Sequence, residues 1–290
     1  MDATAVKTRG GRRFMAKGRP LDETALTEVV TKVGQATPPR DRLIECLHGL
    51  QDGFGHLSAR HLRALADHMR LSQAEVFEVA SFYHHFDVVK EGGTAPPPVT
   101  VRVCDSIACA LKGAGPLADT LEADAPAGVR VVRVPCIGRC DAAPAARIGD
   151  REVDHASPSG IAQILKGGDL GALVPAYTDL ATYREAGGYA ALSKVRTGDI
   201  AVPAMIGMLE EAGLRGLGGA GFPLATKWKI VRGQAGPRLM TVNGDEGEPG
   251  TFKDRWLLER DPHRMLEGAL IAAHAVEADR IYLYMRDEYP

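Results

Sequence analysis

Four of the five cysteines lie in two closely spaced pairs. Four residues separate Cys104 from Cys109, and three separate Cys136 from Cys140. Four thiolates can bind a [2Fe–2S] cluster or a zinc ion. Structural zinc sites favour two residues between paired cysteines, so these wider and unequal loops favour the iron–sulfur cluster over zinc. The fifth, Cys46, lies on an apolar helical stripe and is interpreted as a small buried residue.

Two glycine-rich turns flank a short apolar strand in the C-terminal third of the chain. Backbone N–H groups of the first turn can approach a ligand closely, and such groups at the start of a helix favour phosphate; its glycines are Gly216, Gly218, Gly219 and Gly221. This turn lacks the spacing of a Walker loop or a dinucleotide fingerprint, so on its own it suits a packing turn as well as a cofactor site. The second turn, residues 243–250, is acidic and can accept hydrogen bonds from ribityl, ribose or ring N–H groups. The two turns together indicate a nucleotide or flavin cofactor.

A change in the spacing of apolar residues along the sequence predicts the strands that position the cysteines. Residues 21–95 form a predicted helical region, because apolar residues recur there at helical spacing. Beyond a proline-rich linker the period becomes two, which predicts a strand that ends at Cys104 and a second strand, Val129–Val134, that ends just before Cys136. Because each cysteine pair follows the carboxyl end of a strand, neighbouring strands can bring the four thiolates together. We therefore predict a small α/β domain over residues 96–166.

The remaining chain is predicted to contain a connector and part of a second α/β domain. Residues 167–198 have the glycine, proline and exposed aromatic residues of an interdomain linker. Residues 199–290 combine helices with the two glycine-rich turns and a final alternating strand, Arg280–Met285. This order fits an α/β layer with its ligand at the carboxyl ends of the strands. The fold class is therefore α/β.

Composition and charge exclude several function classes. The chain has 290 residues, 45% of them hydrophobic and 25% charged, with a formal net charge of -2. This balance favours neither nucleic acid nor an anionic membrane surface as a partner. No apolar run approaches the ~18 residues of a membrane span, and the basic segment 1–20 is predicted to be a disordered tail, not a signal peptide. A cytoplasmic location is expected, where reducing conditions make the cysteines better candidates for metal ligands than for disulfides.

Two stretches of sequence resemble known families. The segments GLGGAGFP and NGDEGEPGTFKDR resemble the flavin- and NADH-binding subunit of respiratory complex I and its relatives. The segments VCDSIACALKGA and PCIGRCDAAPAARIGD resemble the thioredoxin-like [2Fe–2S] ferredoxin domain of the complex I small subunit, with all four ligand positions filled. Leu217 stands where an arginine is commoner in the family, and Ile230 stands where an aromatic residue is frequent.

The resemblance implies a role for each matching residue. Backbone groups of the four glycines would bind FMN, together with the side chains of Lys227, Asn243 and Asp245. Phe222 would pack against the nicotinamide or adenine ring, and the carboxylates of Glu246 and Glu248 would contact cofactor, with Glu248 positioning the dinucleotide near the flavin. Hydride would pass between NAD(H) and FMN, which exchanges single electrons with iron–sulfur centres. Plain alternatives are a surface lysine at 227 and carboxylates that only cap the turn.

The fusion of both domains in one chain resembles the beta, or diaphorase, subunit of NAD-dependent molybdenum or tungsten formate dehydrogenases. The partner would then be a catalytic subunit that carries the pterin–metal centre. Diaphorase subunits of NAD-reducing hydrogenases and complex I-type NADH dehydrogenases are the alternatives. In the family of flavin- and NADH-binding subunits that this chain resembles, the position of residue 290 falls inside the flavin domain. The chain is therefore expected to be C-terminally truncated, with a [4Fe–4S] site only in the missing part.

Two rival functions come from other classes. An iron–sulfur electron-transfer or assembly module would bind the cluster without a working flavin. A zinc-stabilised interaction domain would use the same cysteines, although their spacing argues against it.

Overall fold

The computed structural model describes residues 18–286, so most of the predicted N-terminal tail and residues 287–290 lie outside the described part. The chain divides into two compact units: Met1–Pro98 with Gly128–Arg130, and Val99–Ala127 with Val131–Pro290. The predicted boundaries at residues 95, 166 and 198 stay predictions. None of the helices in the described residues combines the length and apolarity that a membrane span requires.

The first unit is built from helices, because its apolar residues recur on one face of each helix. Polar side chains cap several helix starts: Asp22 accepts the N–H of Thr24 and Ala25, and Ser72 accepts the N–H of Glu75 at 3.1 Å. The core contains Cys46, whose predicted burial is confirmed. The elements are α1 (Glu23–Val33), α2 (Leu43–Phe54), α3 (Ala59–Met69), α4 (Gln73–Phe82) and a short parallel pair, β1 (Leu57–Ser58) and β2 (Val88–Val89).

A four-stranded sheet begins the second unit, which contains all of its residues except Val129 and Arg130. Its strand order is β4-β3-β5-β6, and β5 runs antiparallel to both β3 and β6. The first strand ends at Cys104, as its alternating pattern predicts, and Val101, Val103 and Ile148 are buried in its core. The elements are β3 (Val99–Cys104), α5 (Ile107–Ala110), α6 (Ala114–Ala123), β4 (Val129–Val134), β5 (Ala146–Ile148), β6 (Arg151–Val153) and α7 (Pro158–Gly167).

The rest of the second unit contains two parallel paired strands, Leu239–Gly244 and Arg280–Met285, together with helices. Parallel strands need a crossover, which here contains two helices between the paired strands. A separate apolar core around Trp228, Ile206 and Val276 packs these helices together. The predicted connector contains two helices that its composition did not indicate. The elements are α8 (Leu180–Glu185), α9 (Ala190–Thr197), α10 (Val202–Glu211), α11 (Leu224–Arg232), β7 (Leu239–Gly244), α12 (Lys253–Arg260), α13 (Pro262–Val276) and β8 (Arg280–Met285).

The buried carboxylate of Glu267, on α13, holds the connector against the helices. It accepts hydrogen bonds from the Tyr183 hydroxyl at 2.6 Å, the Tyr189 N–H at 2.9 Å and the Leu192 N–H at 3.2 Å. Burial alone would raise the pKa of Glu267, but these three donors and the Ala191 N–H outweigh it and lower the pKa below its usual value. Burial and the neighbouring carboxylate raise the pKa of Tyr183 to about 12.

We expect the substitution Glu267→Gln to destabilise the second unit by about 1–3 kcal/mol at pH 7, because an amide nitrogen would face the N–H and O–H donors. A carboxyl whose pKa is lowered by folding stabilises above its unfolded pKa, about 4.3, and loses this contribution as the pH falls through the folded pKa. The deficit of the variant should therefore shrink below about pH 4. Urea unfolding at pH 7 and pH 3.5, with the exposed Glu185→Gln as control, measures this. An equal deficit at both pH values would contradict the assignment.

Candidate functional site

The structure brings the four paired cysteines into one cluster. The Cys136 and Cys140 sulfurs lie 3.3 Å apart, and Cys104 is hydrogen-bonded to Cys136. Cys109 interacts electrostatically with both Cys104 and Cys140. Three of the thiols are buried, and that of Cys140 is partly exposed. Residues from two strand ends and from the loops beyond them thus meet as their positions in the sequence predict.

Backbone N–H groups surround these sulfurs. Ser106 and Ile137 donate to the Cys104 sulfur, and Gly138 donates to the Cys136 sulfur at 3.4 Å. Such donors stabilise the negatively charged thiolate, which is the form of cysteine that binds iron. These donors therefore fit thiolate ligands at Cys104 and Cys136.

The pKa values of the thiols reflect their mutual contact. The hydrogen bond from Cys104 lowers the pKa of Cys136 to about 5, against the effect of burial. The same bond, with burial, raises the pKa of Cys104, and burial raises the pKa of Cys140. Binding of a metal centre to all four thiolates would therefore release protons.

Within residues 18–286, no group of three or more His, Cys, Asp or Glu side chains could hold a single metal ion. A [2Fe–2S] cluster has a different requirement. Its four cysteines are shared between two irons, so three thiolates need not converge on one point.

The carboxylates of the acidic turn, residues 243–250, face two different environments. Glu246 is buried, adopts a positive φ of 43°, and accepts the N–H groups of Asp254 and Arg255 at 2.9 Å each. It therefore caps the start of α12. Glu248, two residues further on, is exposed. The contacts of Glu246 give it a structural role, and its predicted contact with a cofactor stays a prediction.

Asn243 and Asp245 begin the acidic turn at the end of β7. The Asn243 side-chain oxygen accepts the Asp245 N–H at 3.1 Å, which fixes the direction in which the chain leaves the strand. A cleft of about 200 Å³ opens here, lined by Asn243, Gly244 and residues of α12 and α13. It lies at the carboxyl end of a parallel strand, where α/β folds bind ligands. Since ligand pockets usually measure about 300–1,000 Å³, this cleft can take only part of a cofactor.

The glycine loop projects from a short bridge between Arg215 and Pro223. Gly216 N–H donates to the Phe222 carbonyl at 3.0 Å and closes the loop. Gly219, at φ +92°, and Gly221, at φ +59°, adopt conformations that favour glycine, and both have open space where a Cβ would stand. Gly218 is equally open. The loop therefore has room for a ligand next to its backbone.

The other predicted ligand-contacting residues near the glycine loop lie at the surface. Phe222 is 49% exposed, and Leu217, which stands where an arginine is commoner in the family, is 80% exposed. Lys227 is also exposed, on the first turns of α11. The hydrogen bond that closes the loop joins two of its own residues, so joint use of the glycine loop and the acidic turn in one cofactor site stays a prediction.

The acidic turn and the cysteine loop are in direct contact, which the sequence did not indicate. The Gly250 N–H donates to the Cys140 sulfur at 3.1 Å, across 110 residues of sequence. Arg255 is 2% exposed and donates from Nε to the Gly138 carbonyl at 3.0 Å. Its guanidinium also pairs with Asp141 and with Glu259. The two halves of the second unit are thus joined at the cysteines themselves.

Sequence reasoning missed Arg255 although it lies in the motif NGDEGEPGTFKDR. From sequence alone, a single arginine on a short helix is expected to lie at the surface, and the partners of Arg255 are distant in sequence. The one available signal was its place within a segment that resembles a cofactor-binding motif.

Two family models match the chain. The thioredoxin-like [2Fe–2S] ferredoxin model matches residues 27–168, and the Nuo51 FMN-binding domain model matches residues 209–290. The chain is thus similar to a thioredoxin-like [2Fe–2S] ferredoxin over residues 27–168 and to a Nuo51 FMN-binding domain over residues 209–290, which confirms the predicted fold class. The matches also support the predicted cofactors, a [2Fe–2S] cluster, FMN and NAD(H).

Curated proteins and solved structures include partial relatives. The chain is 48% identical over 111 residues to an NADH-quinone oxidoreductase subunit of Rhizobium meliloti, covering 38% of this chain and 26% of that protein. It is 30% identical over 298 aligned positions to the NAD-reducing hydrogenase HoxS subunit alpha of Cupriavidus necator, covering 91% of this chain and 48% of that subunit. A crystal structure of an air-oxidised NAD⁺-reducing [NiFe]-hydrogenase aligns with TM-score 0.67 and 31% identity, over 88% of this chain and 47% of that one. The chain thus spans about half the length of these relatives, or less.

We expect alanine substitution of any paired cysteine to reduce bound iron and acid-labile sulfide together, because each thiolate is predicted to supply one of the four ligand positions. Cys46→Ala is the matched control, since Cys46 lies in the separate helical core, and it should keep the wild-type iron content. Iron, sulfide and zinc analysis of the purified variants measures this. Stoichiometric zinc without sulfide in the wild-type chain would contradict the cluster assignment.

The neighbouring carboxylates Glu246 and Glu248 allow a matched comparison. Glu246→Gln should lower the free energy of unfolding by about 1–2 kcal/mol, because it loses a helix cap, whereas Glu248→Gln should change it by less than about 0.5 kcal/mol. Burial would raise the pKa of Glu246, but the N–H groups of α12 and the charge of Lys253 lower it. Its contribution is therefore present above the unfolded pKa and is lost as the pH falls through the folded pKa. Thermal unfolding of both variants at pH 7 and pH 3.5 tests this, and equal destabilisation by the two would contradict it.

Proposed function

We propose that this chain is a diaphorase-type electron-transfer part of an NAD-dependent oxidoreductase. The observation that supports this function best is the hydrogen bond from Gly250 to the Cys140 sulfur. It joins the turn that resembles a flavin-binding motif to a predicted ligand of the iron–sulfur cluster. Electron transfer between two centres requires that they lie close together, and this contact supports such a placement of the flavin and the cluster.

The residues of this chain would bind and orient the cofactors. The N–H groups of Gly216, Gly218, Gly219 and Gly221 would surround a phosphate, whose charge the exposed Lys227 would neutralise. FMN, when bound, supplies the exchange of the hydride of NAD(H) for single electrons.

The acidic turn would hold the rest of the flavin and the dinucleotide. Asn243 and Asp245 would bind ribityl hydroxyls or ring N–H groups at the end of β7. Glu248, which is exposed, would position the dinucleotide, and Phe222 would pack against one of its rings. The four paired cysteines would hold the [2Fe–2S] cluster.

Within this function class, we infer a beta subunit of a formate dehydrogenase, with a pterin–metal catalytic subunit as partner and a cytoplasmic location. The fusion of both domains, the complete set of four cysteines and Leu217 in the glycine loop support this choice. The second candidate is the diaphorase of an NAD-reducing hydrogenase, which the alignment to HoxS subunit alpha over 91% of this chain favours. A cluster-binding module without a working flavin is the third.

An anaerobic visible absorption spectrum of the purified chain, before and after NADH, tests the proposed function. We expect flavin and iron–sulfur bands that NADH bleaches, after reconstitution with FMN. Iron–sulfur bands that dithionite bleaches but NADH does not would support the module without a working flavin. A chain that binds no flavin at all would overturn flavin binding by these residues.

Two lysines of the same helix provide the control. Lys227→Ala should weaken FMN binding by about 10-fold, the effect of losing one charge-assisted phosphate contact. Lys229, which pairs with Glu210 at 2.5 Å, should be replaceable by alanine without a change in FMN affinity. Equal affinities of the two variants would contradict the role given to Lys227.

A further inference from the structure

The backbone N–H groups that donate to the cysteine sulfurs come from two parts of the chain, and the Arg286 side chain donates to the Cys136 sulfur as well. Ser106, Ile137 and Gly138 lie within the cysteine loops themselves. Gly250 lies in the acidic turn, and its N–H reaches the Cys140 sulfur at 3.1 Å from 110 residues away. The cluster site is therefore completed by a segment of the flavin domain.

Local contacts fix the position of this outside donor. The Thr251 N–H donates to the Glu248 carbonyl at 3.0 Å and closes a turn around Gly250. Gly250 has a φ of +95°, which a residue with a side chain rarely adopts. The buried carboxylate of Glu246 then holds the start of α12 three residues further on.

Arg255 ties this turn to the cysteine loop. Its guanidinium binds the Gly138 carbonyl and the Asp141 carboxylate, which lie on either side of Cys140 in the sequence. Glu259, one helical turn along α12, pairs with it at 3.0 Å. The charge of Arg255 is thus compensated by two carboxylates, while its planar guanidinium fixes the distance between α12 and the cysteine loop.

We propose that Gly250 N–H raises the reduction potential of the cluster by its hydrogen bond to the Cys140 sulfur, and that Arg255 is the positioning residue for this bond. The inference rests on the proposed ligation of a [2Fe–2S] cluster by the four cysteines. Reduction adds one electron, and an N–H dipole directed at sulfur stabilises the extra negative charge. The electron comes from the flavin in the proposed function, or from dithionite in a titration, and no bond of the protein is formed or broken.

This arrangement gives the acidic turn two tasks. Asn243, Asp245 and Glu248 would bind cofactor, and seven residues beyond Asn243 the same turn sets the charge environment of the cluster. The potential of the cluster would depend on residues outside the ferredoxin domain that carries its ligands.

The test is a dithionite titration of the full chain with mediator dyes, in which the visible absorption and the electron paramagnetic resonance signal of the reduced cluster are followed. Arg255→Lys keeps the charge but loses the fork, and Arg255→Met loses both. We expect both variants to keep iron and to shift the midpoint to lower potential. The ratio of reduced to oxidised cluster at the wild-type midpoint should fall by about 3-fold or more, the effect of losing one hydrogen bond. Arg151→Met, whose arginine pairs with Asp169 on the surface, is the matched control and should titrate as wild type.

A second pair of variants probes the donor directly. Gly250→Ala adds a Cβ in open space but strains the backbone, so it should turn the N–H away from Cys140 and lower the potential. Gly198→Ala, at φ +86° in equally open space at the end of α9, carries similar strain far along the chain from the cysteines and should leave the potential unchanged.

The outcomes separate the inference from the proposed function. Iron-loaded Arg255 and Gly250 variants with the wild-type potential would overturn the inference alone. A shift in Arg255→Met without one in Arg255→Lys would mean that charge, not position, matters, and would overturn the role of Arg255. If the Arg255 variants lose the cluster, the Gly250→Ala titration decides. A wild-type chain that binds no iron–sulfur cluster would refute the proposed function itself. Because dithionite needs neither NADH nor flavin, failure to bind FMN would not affect the measurement.

Discussion

The second unit depends on one buried cation. Arg255 lies almost wholly out of water, and a charge in that position costs several kcal/mol unless it is paired and hydrogen-bonded. Asp141 and Glu259 supply the opposite charge and the Gly138 carbonyl accepts Nε–H, so the guanidinium is satisfied only when the cysteine loop and α12 lie together. Removing either side would leave a buried charge without its partners. The geometry of the cysteines and the position of the acidic turn are consequently not independent features of the molecule.

Two further arginines link the elements around the cysteine loop. Arg139 pairs with Glu259 at 3.1 Å and with Glu152 at 2.9 Å, so α12 is linked to the four-stranded sheet by a second arginine. Arg286 donates to the Glu246 carbonyl at 3.2 Å and so connects the end of β8 to the acidic turn. A site that transfers electrons gains from such a network, because fixed dipoles and paired charges need little reorganisation when the charge on a centre changes.

The parts of the fold that the sequence predicts are those governed by short-range patterns. The alternation in Val99–Cys104 predicts β3 to the residue. The convergence of the cysteines follows from their places after strand ends. By contrast, a carboxylate beside glycines can cap a helix or bind a ligand, and sequence cannot distinguish Glu246 from Glu248; only burial does so. The contacts of Arg255 with Asp141, and of Glu267 with Tyr183, join residues 114 and 84 positions apart, for which no local pattern exists.

The separation between Cys140 and Gly250 has a consequence for biogenesis. The ribosome adds roughly 5–20 residues per second, so about 5–20 s pass between synthesis of the last cysteine and synthesis of the glycine that donates to it. During that interval the nascent cysteine loop has neither the Gly250 N–H nor the Arg255 side chain. Iron inserted early would enter a site that lacks its outer donors, whereas iron inserted after release would enter the finished one. The donors that surround the iron at the moment of insertion would therefore depend on how much of the chain has been synthesised.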